Sequence, residues 1–105
     1  LDSGQDVLEQ IRQHLANNMR EASSLERVAN HLHRSARTLR RHLTRMNTSY
    51  QRLLDEVRYD KARQLLMQTD LPIYLIAEQL GYSETASFRH AFMRWSGQTP
   101  SVYRR

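Results

Sequence analysis

One block of this chain occurs twice, and each copy reads as the same pair of helices. Shifting the sequence by 48 residues lays Leu25, Val28, Ala29, Leu32 and Ser35 on Ile73, Ile76, Ala77, Leu80 and Ser83. With one further residue inserted, Leu39, Arg40, Leu43, Arg45 and Met46 fall on Phe88, Arg89, Phe92, Arg94 and Trp95. Apolar residues recurring at three and four positions mark one face of a helix. Each copy therefore predicts a short helix, a tight turn, a serine cap and a second helix. Ala29 and Ala77 stand where two helices cross closely and a larger side chain would clash. This is the helix-turn-helix plan.

The rest of the chain reads as helix too. Val7, Leu8, Ile11 and Leu15 predict an amphipathic helix over about residues 5–17. Ser23 with Glu26 has capping-box spacing and opens the second helix, and Ser35 caps a third that runs to about Arg45. The chain turns at Asn47 to Ser49. Tyr50, Leu53, Leu54, Val57, Ala62, Leu65 and Leu66 then keep a helical period over nearly twenty residues. Thr69, Asp70 and Pro72 separate it from a fifth helix ending at Gly81. Ser83 caps the sixth, which reaches Gly97, and Thr99 with Pro100 starts a closing turn of helix. With three glycines, two prolines and no strict alternation of apolar and polar residues, the class is all-α. About seven helices divide into a first helix-turn-helix subdomain at 1–47, a linker helix at 48–68 and a second subdomain at 69–105, together one domain.

Charge narrows the partner. Sixteen basic residues stand against eleven acidic, fifteen of the bases are arginine, and from Arg27 to Leu54 seven arginines occur without one acid. Arginine offers a planar fork of donors that fits phosphate oxygens and the edge of guanine. In the first copy the outward residues are Arg34, Arg37, Thr38, Arg41 and Arg45, with Arg40 beside them. In the second they are Thr85, Ala86, Ser87, Arg89, His90 and Arg94, with Ser83 at the turn. Long donors and small hydroxyls on a second helix are what reading base edges requires. A plain helical hairpin would need only a solvated face of mixed sign.

The long helix supplies a length check. About twenty residues at about 1.5 Å each span roughly 30 Å, close to the roughly 34 Å between successive major grooves on one face of a duplex. One monomeric chain could then read two adjacent grooves, at an asymmetric site.

Other chemistries find little support. No cysteine is present, which excludes disulfides, thiolate zinc sites and cysteine nucleophiles. No run of 18 apolar residues exists, so the reading includes no membrane. His31 and His33, with His42 nearby, diverge along a helix and have no acidic partner near in sequence, so neither a metal nor any other cofactor is expected. Asp55, Glu56 and Glu78 read as solvated salt-bridge partners of Arg52, Arg58 or Arg63. Phe92 and Trp95 read as core beside Phe88 rather than as a stacking platform. No nucleophile elbow or phosphate-cradling glycine loop occurs, and no enzyme is expected. The chain opens at Leu1 without methionine or a targeting segment and reads as a piece of something longer.

The segment Leu75 to Tyr103 resembles the signature of AraC/XylS-type transcription regulators. It carries Ile76-Ala77, Leu80-Gly81-Tyr82-Ser83, Ser87-Phe88, Ala91-Phe92, Arg94-Trp95, Gly97-Gln98-Thr99-Pro100 and Tyr103-Arg104. The likeness continues upstream through Ser24-Leu25-Glu26, Ser35 to Leu43, Thr48-Ser49-Tyr50 and Leu53-Leu54. It implies a bacterial, cytoplasmic DNA-binding domain of two helix-turn-helix units joined by a long helix. It further implies a missing N-terminal effector or dimerisation domain in the parent protein, and RNA polymerase as a second partner. The family's base-contacting positions fall on Arg37, Arg40 and Arg41, and on Thr85, Ala86, Ser87, Arg89 and His90. Three residues depart from its pattern: His33 where glycine is usual, His90 where arginine is common, and Met93 where lysine is common. The last two remove positive charge from the second unit, so the first is expected to supply more of the affinity.

Two functional classes remain open at this point. The first is sequence-specific binding of double-stranded DNA for transcription regulation. The second is a basic helical interaction module whose target is an acidic protein or RNA.

Overall fold

The computed structural model describes residues 4–21 and 24–105. Among them are seven α-helices and no strand: α1 Gly4–Asn17, α2 Leu25–His31, α3 Ala36–Arg45, α4 Tyr50–Gln68, α5 Ile73–Gln79, α6 Thr85–Ser96 and α7 Pro100–Arg104. A 3-10 turn, Met19–Glu21, follows α1 and has no counterpart in the sequence reading. The all-α class and the helix order agree with expectation. Among the described residues no helix is long and apolar enough to cross a membrane.

The chain forms two compact units. The first holds α1, α2, α3 and α4 through Val57; the second holds the 3-10 turn and the chain from Arg58 onward. In the first, Val7, Ile11 and Leu15 of α1 close on Val28, Leu39, Leu43 and Leu53, all almost wholly buried. Ala29 lies in this cluster, where its small side chain lets α2 and α3 approach. In the second, Ala62 and Leu66 of α4 are buried, as are Ile76, Ala77, Leu80, Phe88, Ala91 and Phe92. Phe92 is the hub of its rings, with Tyr103, Tyr59 and Phe88 at 5.2, 5.7 and 5.9 Å between centroids. Phe92 is thus core, and Trp95 packs half-buried beside Tyr59.

The two helix-turn-helix turns close identically. Arg34 N–H donates to the Ala29 carbonyl at 2.9 Å and Tyr82 N–H to the Ala77 carbonyl at 3.0 Å. Between them Gly81 takes a left-handed backbone at φ 91°, and His33 takes it at φ 58°. Glycine adopts that conformation without a Cβ penalty, whereas histidine carries one. The departure at His33 therefore leaves the turn type unchanged and adds local strain.

Caps set where the second helix of each pair starts. Ser35 Oγ accepts from Thr38 N–H at 3.0 Å and donates to Thr38 Oγ1 at 2.8 Å, so one of the N–H groups that open α3 gains a partner outside the helix ladder. Two capping expectations need revision. Ser23 lies outside the described residues, and α2 is capped by Ser24, whose hydroxyl accepts from Arg27 N–H at 3.2 Å. Ser83 does not cap α6: the capping position is Glu84, with no side-chain hydrogen bond. The physical reason is the inserted residue. Ser35 corresponds to position 84 once the extra residue is counted before the cap, and Ser83 occupies the lengthened turn.

Arginines also close helix ends. Arg104 Nη1 donates to the Leu71 carbonyl at 2.6 Å, and its Nε donates to that of Leu66 at 3.1 Å, just where α4 runs out of intrahelical donors. Arg58 Nε donates to the Leu80 carbonyl at 2.9 Å, and its guanidinium lies 4.4 Å over the Tyr82 ring. These cations are spent on the fold.

Candidate nucleic-acid interface

A helical step of about 100° sends Arg37, Arg40, Arg41, Thr44 and Arg45 to the side of α3 opposite Leu39 and Leu43. That amphipathicity is enforced by burial, since Leu39 and Leu43 are no more than 1% exposed. The five outward residues line one open groove of about 350 Å³ on the first unit. Among the described residues, Arg40 has Glu26 at 3.6 Å, an exposed contact that screening makes weak, and Arg37, Arg41 and Arg45 have no ion pair. Four guanidinium groups gathered on one groove, three of them without a carboxylate, make a concave site for an anion.

The expected residues do not all share that groove. Arg34 is half-buried in the turn before α3, at the register of Tyr82 in the second unit. Thr38 is half-buried with its hydroxyl engaged by Ser35. Thr44 lines the groove but was absent from the expected set. Its spacing of four from Arg40 and three from Arg41 is the signal in the sequence that places it there.

On α6 of the second unit, Ala86, Ser87, Arg89, His90 and Arg94 are exposed, while Thr85 is half-buried in the first turn. Ser83 is exposed in the bend before the helix. Phe88, Ala91 and Phe92 fill the inner face, so the outward face is held by packing as firmly as that of α3.

The carboxylates pair otherwise than expected. Glu56 faces Arg12 at 3.6 Å, Glu78 accepts from Arg20 at 2.7 Å, and Asp55 accepts from Gln51 at 3.0 Å. Arg63 pairs with Asp60 one helical turn away, which raises the guanidinium above its ordinary pKa. Helix geometry explains the difference, because i,i+3 and i,i+4 neighbours meet first and the other acids reach cations on a packed helix or the 3-10 turn. His31 packs against His14, the rings tilted at 43° with centroids 4.5 Å apart. Among the described residues no group of three His, Asp or Glu is placed to share a metal ion.

A helix-turn-helix domain model matches residues 28–105. The ornithine utilization regulator of Pseudomonas aeruginosa is 43% identical over 104 residues, which is 99% of this chain. An AraC-type regulator from Chromobacterium violaceum has the same fold, with a TM-score of 0.86, 28% identity and coverage of 95% of this chain and 90% of that one. The chain belongs to the AraC family.

It is a DNA-binding domain of the kind that AraC-type transcription regulators carry. A DNA-binding transcriptional dual regulator from Escherichia coli K-12 is similar as well, with a TM-score of 0.89 and 30% identity over 93% of this chain and 88% of that one. The chain spans only 31% of the length of the ornithine utilization regulator. Within this AraC-type domain α3 and α6 each keep an exposed face opposite their buried side.

Proposed function

We propose that the domain binds a specific duplex DNA site with α3 in one major groove and α6 in the next, as the reading part of a bacterial, cytoplasmic transcription regulator. The observation that carries this reading is the α3 groove, where Arg37, Arg40, Arg41 and Arg45 converge opposite a wholly apolar face. Guanidinium forks at that spacing suit guanine edges and phosphates together. The 19 residues of α4 amount to about 28 Å of helix, near the major-groove repeat of about 34 Å, and the difference favours DNA that bends toward the protein.

Arg37, Arg40 and Arg41 read bases in one groove, and Thr85, Ser87 and Arg89 read them in the other, with Ala86 and His90 alongside. Arg34, Arg45 and Arg94, with Thr38 and Ser83 near helix N-termini, hold phosphates and set register. Residues 1–47 and 69–105 act as the two reading subdomains and 48–68 as the strut between them. A single copy suffices. In the parent protein an N-terminal effector or dimerisation domain controls this one, and RNA polymerase is the second partner.

Titration of the chain against duplex, single-stranded RNA and an acidic polypeptide tests the reading. Duplex affinity falls steeply as salt rises, and a selected duplex outlasts random duplex by about a thousandfold or more. Equal affinity for all polyanions would leave a basic interaction module instead.

A further inference from the structure

The two reading helices share one register, and at two of the outward positions where they differ a polar side chain of α3 gives way to an apolar one in α6. Once the inserted residue is counted, Arg37 and Thr44 of α3 correspond to Ala86 and Met93 of α6. The register is anchored by buried pairs, Leu39 with Phe88 and Leu43 with Phe92, none more than 1% exposed. Ala86, Arg89, His90 and Met93 follow one another at three, one and three residues, which is a single stripe along a helix. Met93 is 44% exposed on that stripe, although a flexible apolar side chain gains stability by burial. Its neighbours on the stripe and beside it, Arg89, His90 and Arg94, make a polyanion its natural partner.

A base pair shows the major groove one apolar group, the 5-methyl of thymine. Neither methionine nor alanine can donate to guanine, and the methionine sulfur is only a weak acceptor for the cytosine amino group, so this stripe is poorly suited to read those bases at 86 and 93. The geometry points to Met93 as a thymine-reading residue: its thioether end packs on a thymine methyl beside the pair read by Arg89, and Ala86 leaves room for the groove wall to approach. This makes the domain two-toned, with a hydrogen-bonding head on α3 and a partly apolar head on α6. The inference rests on the proposed entry of α6 into the major groove.

The test uses the full 105-residue chain and a duplex recovered from a random pool. The half-site under α6 is the one whose selectivity Arg89→Ala relaxes. Each thymine there is replaced by deoxyuridine, which removes only the methyl. The expected result is about fourfold weaker binding at the contacted position. That loss disappears in Met93→Ala, which binds both duplexes alike, and persists in Met93→Leu. Because the side chain is exposed, Met93→Ala keeps the wild-type thermal unfolding. A selected half-site without thymine, or one indifferent to uracil, overturns the inference while leaving groove reading intact. Uracil sensitivity unchanged in Met93→Ala also overturns it. Failure to recover any selective duplex overturns groove reading and this inference together.

Discussion

His33 and Gly81 occupy the same place in two copies of one turn, both with a left-handed backbone, at φ 58° and 91°. The closing hydrogen bond to the alanine carbonyl is 2.9 Å in one and 3.0 Å in the other. The geometry is shared although only one copy has the residue that adopts it freely.

His33→Gly is therefore expected to stabilise the first unit by about 1 kcal/mol, relief of the left-handed penalty outweighing the extra entropy of glycine in the unfolded chain. Gly81→Ala is expected to cost about the same or more. Urea unfolding of both variants checks this; a destabilised His33→Gly would mean that the imidazole makes contacts worth more than the strain.

Ser35→Ala removes the hydroxyl that accepts from Thr38 N–H and should cost about 1 kcal/mol. Ser83→Ala should stay within about 0.5 kcal/mol, since Ser83 caps nothing. Equal losses in thermal unfolding would contradict the assignment of Glu84 as the cap position.

Arg104→Met should destabilise by about 2 kcal/mol, because the Leu66 carbonyl at the end of α4 and the Leu71 carbonyl in the loop after it lose a charged donor. Arg104→Lys should recover only part of this, as a point charge cannot span the carbonyls of Leu66 and Leu71 together. Full recovery in denaturation curves would show that charge, and not the fork, matters.

For DNA binding, Arg41→Ala is expected to weaken affinity more than Arg89→Ala on one selected duplex, since α3 carries four groove-lining arginines and α6 two exposed ones. Each should cost about 1 to 3 kcal/mol at its own base pair and little at others. A larger loss from Arg89→Ala would reverse the assignment of the stronger head.

The helices were legible because burial imposes a period: Leu39, Leu43, Phe88 and Phe92 are where three- and four-residue spacing puts a core. The repeat was legible for the same reason. What the pattern hid lay where apolar periodicity is silent. The inserted residue in the second turn could fall before or after the cap, and both positions carry polar residues, so Ser83 looked like Ser35. The roles of Arg58 and Arg104 were hidden because their partners are backbone carbonyls, which no side-chain pattern announces. Thr38 was correctly outward in angle, yet its hydroxyl is drawn into the cap by Ser35. Basic composition marked the interface as a face and could not sort its readers from its scaffolding.

Selection of bound duplexes from a random pool by the intact chain measures the main proposal most directly. Two heads in neighbouring grooves predict one asymmetric motif whose halves lie about ten base pairs apart, one half degraded by Arg41→Ala and the other by Arg89→Ala. A single short motif untouched by Arg89→Ala, or a pool with no enriched sequence, would contradict it.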